Sequence, residues 1–248
     1  HLSGTKTLHL PYDRPRRSTP FGPGGSYSFN VEEPLTLTLR NLCRQQKATL
    51  HMALMAIFQM LLYRYTGEHD IVVGSNVARR NMPEVRGVIG FFVNTVAIRT
   101  RLSGEWSFYQ LLDQVRELTI AAYENQDIPF SCVLNELASE MYPGRPPICQ
   151  TSFNGNNFPR ADFKLGAAVL KPLEINFSPA RQEISVFATD MDKAISFGVT
   201  YDQDLFNLKT IENMFQHYLL LLRNIVYHPE QPVSRILSTK DHIEPRDE

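Results

Sequence analysis

Cysteine is scarce in this chain of 248 residues, and Cys43, Cys132 and Cys149 are widely spaced and odd in number. They form no CxxC and have no histidine pair nearby, which argues against a disulfide framework or a structural zinc site and fits a reducing compartment. An excess of one charge is missing as well. Lys plus Arg (25) nearly cancel Asp plus Glu (26), so no overall field favours nucleic acid or an anionic membrane. The basic run Arg14-Pro15-Arg16-Arg17 is short, interleaved with proline, and reads as a solvated loop. Long apolar runs are absent too: Met52–Tyr65 is interrupted by Gln59 and Arg64, and Tyr218–Val226 by Arg223 and Asn224. Both fall short of the roughly 18 apolar residues a membrane span needs. With no secretory signal evident, the expectation is a soluble cytoplasmic protein that meets neither nucleic acid nor membrane.

The usual catalytic signatures are missing. There is no Gly-rich phosphate loop, GxSxG, HExxH or dense cluster of metal ligands, so no metal site is expected. Seven histidines are scattered singly, with His51 and His217 inside helical patterns. His9 and Asp13 match HxxxD, a spacing that serves acyl-transfer enzymes. Pro11 and Pro15 place the pair in a loop, and Arg14 follows the aspartate where that motif has glycine. A small acyltransferase built on His9 and Asp13 is therefore the weakest of three readings.

What is present is a mixed pattern of helices and strands. Residues 1–25 are rich in Pro and Gly and read as an extended lead-in. Ser26–Val31 alternates as a strand, and Leu35, Leu39 and Leu42 repeat at helical spacing. Thr49 is placed to cap a helix over Leu50–Tyr65 that Gly67 ends, before a buried strand at Asp70–Ala78. Ser107 is placed to cap a helix through Glu124, whose apolar stripe is Phe108, Leu111, Leu112, Val115 and Leu118. A shorter helix is predicted at Cys132–Glu140, and strands at Ile148–Phe153, Ala168–Phe177, Glu183–Thr189 and Ala194–Tyr201. Asn207 is placed to cap a last amphipathic helix, Leu208–Tyr227, ended by Pro229 and Pro232. No repeat or mid-chain boundary intervenes, so the expectation is one layered α/β unit with a mixed sheet.

Ile89–Thr100, "IGFFVNTVAIRT", reads as a buried strand with two polar residues, Asn94 and Thr95, in its middle. A buried amide or hydroxyl without a partner costs on the order of 1–3 kcal/mol, so both require partners.

Three stretches stand in a known order: "IGFFVNT" (Ile89–Thr95), "NQDIPF" (Asn125–Phe130) and "RPPICQTSF" (Arg145–Phe153). With "LPYDRPR", "YRYTGEHDIVVGSNVARRN" and the closing "YDQDLFNLKTIENMFQHYLLLLRNIV", they resemble condensation domains of nonribosomal peptide synthetases over practically the whole chain. Such a domain has two chloramphenicol-acetyltransferase-like lobes arranged as a V around a tunnel, with HHxxxDG on the first lobe. HHxxxDG does not occur here. The resemblance therefore implies the C-terminal lobe alone, over 26–236, with 1–25 as an inter-lobe strap and 237–248 as a linker toward a following adenylation domain. That lobe could be excised, cleaved or separately encoded.

The resemblance implies amide-bond formation between thioesters carried on the phosphopantetheine arms of donor and acceptor peptidyl carrier proteins, with the N-terminal lobe as partner. It implies that this chain alone does not catalyse. A second reading is a naturally separate lobe that docks carrier proteins or tailoring enzymes. Asn94 and Thr95 would either satisfy neighbouring strand ends or tie the tunnel floor. Asn125, Gln126 and Asp127 would either cap a helix and form a turn or hold the third stretch near the tunnel. Arg145 would pair with a carboxylate there or contact a carrier-protein phosphate. Some positions depart from the family pattern: Asn125 and Ser131 stand for histidine and glutamate, Met141 and Tyr142 for Arg-Asp, and Arg181-Gln182-Glu183 for Lys-Phe-Asp. The form of the first two stretches is more similar to domains joining two L-residues than to epimerisation domains. A lobe interface would leave an exposed apolar patch capable of self-association.

Overall fold

The computed structural model describes residues 1–16, 22–137, 148–156, 164–165, 168–169 and 180–238. Helices α1 (Leu35–Gln45) and α2 (Leu50–Thr66) follow strand β1 (Gly24–Glu32), and β2 (Asp70–Val77) comes next. A 3-10 turn, Pro83–Val85, interrupts the loop to β3 (Asn94–Arg101). Then come α3 (Phe108–Glu124), α4 (Phe130–Glu136) and β4 (Thr151–Asn156). A small ribbon pairs β5 (Lys164–Leu165) with β6 (Ala168–Val169). The chain continues with β7 (Ile184–Asp190), β8 (Ala194–Asp202), α5 (Leu208–Tyr227) and α6 (Val233–Ser238). This is the mixed α/β class read from the sequence.

Six strands form one sheet in the order β1-β8-β7-β4-β2-β3, parallel where β4 meets β7 and β2 and antiparallel elsewhere. Alternate strand residues face opposite ways. One face presents Ile71, Val73, Ile98, Phe153, Val186 and Phe197, all buried in the core. Helices α1, α2, α3 and α5 cover that face, with α2 so central that Met52 to Leu62 is buried without a break. The register puts small polar residues on the other face: Ser26 opposite Thr200, Thr200 opposite Ser185, and Ser185 opposite Ser152.

The helix boundaries have local causes. The Thr49 hydroxyl accepts from the Met52 N–H at 3.2 Å, and Gly67 ends α2 with φ 69°, a left-handed conformation glycine adopts freely. Ser107 and Gln110 cap α3 reciprocally. The cap of α5 differs from the expectation. The Asn207 side chain makes no capping bond and instead accepts from Arg14 Nη2 at 2.5 Å. Asp13 lies at the same helix end, accepting from the Asn207 N–H at 2.7 Å and the Thr210 hydroxyl at 2.8 Å. A carboxylate suits the positive end of a helix better than a neutral amide.

Residues 1–16 are packed against the rest of the chain. Leu8 and Leu10 are buried in the core, and Gln150 bonds both the N–H and the carbonyl of Leu8. Tyr12 donates to the fully buried carboxylate of Glu183 at 2.7 Å, and Arg16 lies 3.1 Å from the other oxygen of that carboxylate. Burial pushes the Glu183 carboxyl above its usual range, with the Tyr12 and Gln150 bonds and Arg16 opposing that shift. Arg99 grips Asp70 through two bonds of 2.7 and 2.6 Å while donating to the carbonyls of His1 and Ser3. Strand β1 begins at Gly24, inside the 1–25 segment read as extended, because pairing with β8 starts there.

Several further elements differ from expectation. The strand expected over Ile89–Thr100 begins only at Asn94, and Ile89 and Phe91 are 101% and 87% exposed. Their apolar character belongs to a loop, so the buried-strand reading fails for residues 89–93. Helix α4 starts at Phe130, and residues 138–140 of the expected helix lie outside the described residues. So do residues 170–177 of an expected strand. The short helix α6 has no counterpart in the sequence reading, which ended the helical pattern at the prolines. Among the described residues no helix is long and apolar enough to cross a membrane.

Gln59, in the middle of α2, is fully buried, and neither atom of its amide has a hydrogen-bond partner among the described residues. An unpaired buried amide costs about 1–3 kcal/mol, and an apolar side chain of similar shape removes that cost. Gln59→Met is therefore expected to raise the unfolding free energy by about 1–2 kcal/mol, read from urea denaturation at constant m-value.

Candidate functional site

The polar face of the sheet opens into a cavity of about 770 Å³. Its floor is built from alternate residues of successive strands: Thr200 of β8, Ser185 and Phe187 of β7, Ser152 and Asn154 of β4, Asn76 of β2 and Thr95 of β3. A hydrogen-bond chain crosses the floor. The Thr95 hydroxyl donates to Asn76 Oδ1 at 3.1 Å, the Asn76 N–H donates to Asn154 Oδ1 at 3.0 Å, and Asn154 Nδ2 donates to Ser152 Oγ at 3.3 Å. One wall is apolar, with Phe91, Val93, Pro129 and Phe130; the opposite wall has Ala180, Arg181 and Gln182.

The residue that joins the apolar wall to the floor is Asn94. Its Nδ2 donates to the carbonyls of Gln126 and Ile128 at 2.8 and 2.7 Å, and its Oδ1 accepts from the Phe130 N–H at 3.0 Å. A single amide side chain thus satisfies both ends of the turn between α3 and α4. This answers what a buried polar residue does at the start of β3.

The other singled-out residues lie around this joint with different contacts. Thr95 faces the cavity through its bond to Asn76. Asn125 and Gln126 donate from their side chains to the carbonyls of Ala121 and Tyr123, closing the end of α3. Asp127 is exposed and lies 3.6 Å from Arg79 Nε. Asn125, Gln126 and Asp127 do not line the cavity, whereas Asn94 and Thr95 do. Arg145 lies outside the described residues. Sequence reasoning missed Asn76, Ser152, Asn154 and Ser185; the available signal was their period-two spacing within otherwise apolar strands.

Among the described residues lining this cavity there is no histidine and no carboxylate. The lining can hold a neutral, hydrogen-bonding, extended molecule but supplies no general acid or base. His9 and Asp13 do not combine into a catalytic pair. The His9 side chain is exposed with Nδ1 3.2 Å from Glu68, while Asp13 is committed to the start of α5. Three or more metal-ligating side chains do not gather anywhere among the described residues. Burial pushes the thiols of Cys43 and Cys149 up to about 12, so neither is a thiolate near neutral pH.

A second cavity, of about 740 Å³, lies at the start of α2 and is lined by His51, Arg79, Tyr123 and Gly155. His51 Nε2 lies 3.3 Å from Ser75 Oγ, while Nδ1 is buried without a partner. A Cβ on Gly155 would stand 3.2 Å from that nitrogen, a tight contact that the ring would have to relieve by a few tenths of an ångström. Burial pushes His51 down to about 4, leaving it neutral at pH 7.

Two outcomes are expected. Asn94→Ala should lower stability by about 2 kcal/mol in denaturant unfolding, and Asn94→Asp by at least as much, because a carboxylate cannot donate to two carbonyls. Between about pH 6.5 and 4 the unfolded chain binds a proton at His51 that the folded chain excludes, so stability is full above that window and falls on acidification. The loss amounts to about 3 kcal/mol, and His51→Gln should flatten that part of a stability-versus-pH curve.

The sequence matches the family described as Condensation domain over residues 1–244. One of the linear gramicidin synthase proteins of Brevibacillus parabrevis is 39% identical over 236 residues, which are 94% of this chain and 3% of that protein. A four-domain nonribosomal peptide synthetase bound to AMP and glycine superposes with a TM-score of 0.84 at 23% identity, over 92% of this chain and 19% of the other. The X-domain from teicoplanin biosynthesis, in complex with OxyB, gives a TM-score of 0.85 at 23% identity, over 97% of this chain and 54% of that one. The chain thus spans about half of the X-domain and a small fraction of the synthase. The solved structures share its fold, and with the family match over residues 1–244 the conclusion is that this chain belongs to the condensation-domain family.

Proposed function

We propose that this chain is the C-terminal lobe of a condensation domain in a nonribosomal peptide synthetase, forming one wall of a tunnel in which an amide bond is made. In this reading residues 1–25 are a strap between lobes, 26–236 the lobe, and 237–248 a linker toward an adenylation domain. The partners are the N-terminal lobe of the same domain and the donor and acceptor peptidyl carrier proteins. The observation that carries the reading is the open polar cavity on the sheet face opposite α1, α2, α3 and α5, walled by exposed Phe91. The phosphopantetheine arm, which belongs to the carriers, is an extended amide-bearing chain. Hydroxyls and amides at Ser152, Asn154, Asn76 and Thr95 match it in kind.

The acceptor amine attacks the donor thioester carbonyl. The C–N bond forms, the C–S bond breaks, and the proton lost by the amine ends on the released thiol. An amine is nucleophilic only when neutral, so the task is to hold it uncharged and close to the carbonyl. Positioning of this kind lowers a barrier by several kcal/mol. The lining of this chain contributes orientation; the histidine of HHxxxDG belongs to the other lobe. A docking module that does no chemistry is the second reading, and the X-domain complex with OxyB favours it as a precedent.

The test is reconstitution. Offered loaded donor and acceptor carriers, the chain alone should give no amide product, and addition of an N-terminal lobe carrying HHxxxDG should restore it. Product from the chain alone would overturn the lobe reading; no product from the assembled pair, with carriers still bound, would favour docking. Asn94→Ala in the intact synthetase separates tunnel from core: activity lost at a temperature well below the lowered melting point supports the tunnel, while activity kept there leaves a core role.

A further inference from the structure

Residues 81–93, the greater part of the loop between β2 and β3, contain only the 3-10 turn at Pro83–Val85 and no strand pairing. Backbone carbonyls in such a loop need donors. Arg80 supplies them from the loop's entry: Nη1 donates to the carbonyls of Val85 at 2.6 Å, Val88 at 2.8 Å and Arg86 at 3.5 Å, and Nη2 donates to that of Gly90 at 3.3 Å. The ring of Phe92 lies against the same guanidinium, 4.4 Å from its centroid. The loop therefore wraps around a cation, with several of its carbonyls turned inward.

Its outer side is apolar. Met82, Val88, Ile89, Phe91 and Val93 are all exposed, and Phe91 and Val93 also form a wall of the larger cavity. A free loop in water would turn such side chains inward. Here the inward space is filled by the guanidinium and Phe92. Arg79 takes no part in this: it has φ 50° and lies 3.6 Å from Asp127, linking the loop's entry to the turn that Asn94 holds.

We propose that Arg80 is a positioning residue, whose guanidinium holds loop 81–93 in the shape that presents Ile89 and Phe91 to the other lobe of the domain. The inference rests on the two-lobe reading above. A guanidinium suits the task because it is planar, carries five N–H donors in a fixed fork and stacks on an aromatic face. Lysine offers a compact ammonium without the fork or the flat face.

The test uses the condensation domain with both lobes, followed by hydrogen exchange, thermal melting and product formation from a fixed pair of loaded carriers. Arg80→Gln and Arg80→Lys should each speed amide exchange about tenfold at Val85, Arg86 and Val88, the residues of 85–92 whose N–H groups are bonded within the loop, the factor matching one lost bond to a charged group. Protection in α2 and β4 should stay unchanged, and product formation should fall. Ile89→Asp with Phe91→Asp should also reduce product while leaving loop exchange slow. Unchanged exchange at Val85, Arg86 and Val88 in Arg80→Gln overturns the assignment, as does faster exchange with full activity. Full activity in the Ile89–Phe91 variant overturns the lobe-docking reading itself, whereas activity lost there but kept in Arg80→Gln overturns only the role of Arg80.

Discussion

A strand turns alternate side chains to opposite faces, and this constraint divides the whole sheet. One parity of the sheet is apolar and must be buried, which commits α1, α2, α3 and α5 to the same side. The other parity is then left for hydroxyls and amides: Ser26, Thr200, Ser185 and Ser152 stand in one cross-strand row, beside a second row containing Asn154, Asn76 and Thr95. A one-residue slip in any strand would exchange the two sets, so core and cavity are specified by the same register.

A polar floor becomes a site only when walls stand around it, and those walls are loops. Loops are held by donors and acceptors rather than by apolar packing. Asn94 fixes the turn at residues 126–130 by matching two carbonyls and one N–H with one amide. Arg80 gathers the carbonyls of the neighbouring loop. The two meet along the apolar wall formed by Phe91, Val93, Pro129 and Phe130. The exposed apolar side chains of this wall are thus held in place by polar joints.

The opening residues show the same logic at the other edge. Burying Leu8 and Leu10 would leave backbone groups stranded, and Gln150 meets both polar groups of Leu8. Glu183 is costly to bury as a charge, and Tyr12, Gln150 and Arg16 surround it. Asp13 adds a bond to the start of α5. A segment without periodicity is thereby fastened to sheet, core and helix at once.

Features set within a few residues of one another were legible in the sequence. Thr49, Gly67 and Ser107 mark helix ends because the groups they satisfy lie within one turn, and the 3.6- and 2-residue periods separate helices from strands. The motif order was legible as a resemblance, and with it the family. What tertiary structure decided involves partners far apart in the chain. Asn94 reaches carbonyls 32 and 34 residues away, and Asp13 reaches the Asn207 N–H at the start of α5 from 194 residues away. Residues 89–93 read as strand because their composition is apolar, yet they lie outside the sheet, where Arg80 meets the Gly90 carbonyl and the Phe92 ring. Composition records how apolar a segment is; which atoms meet its backbone depends on the folded chain.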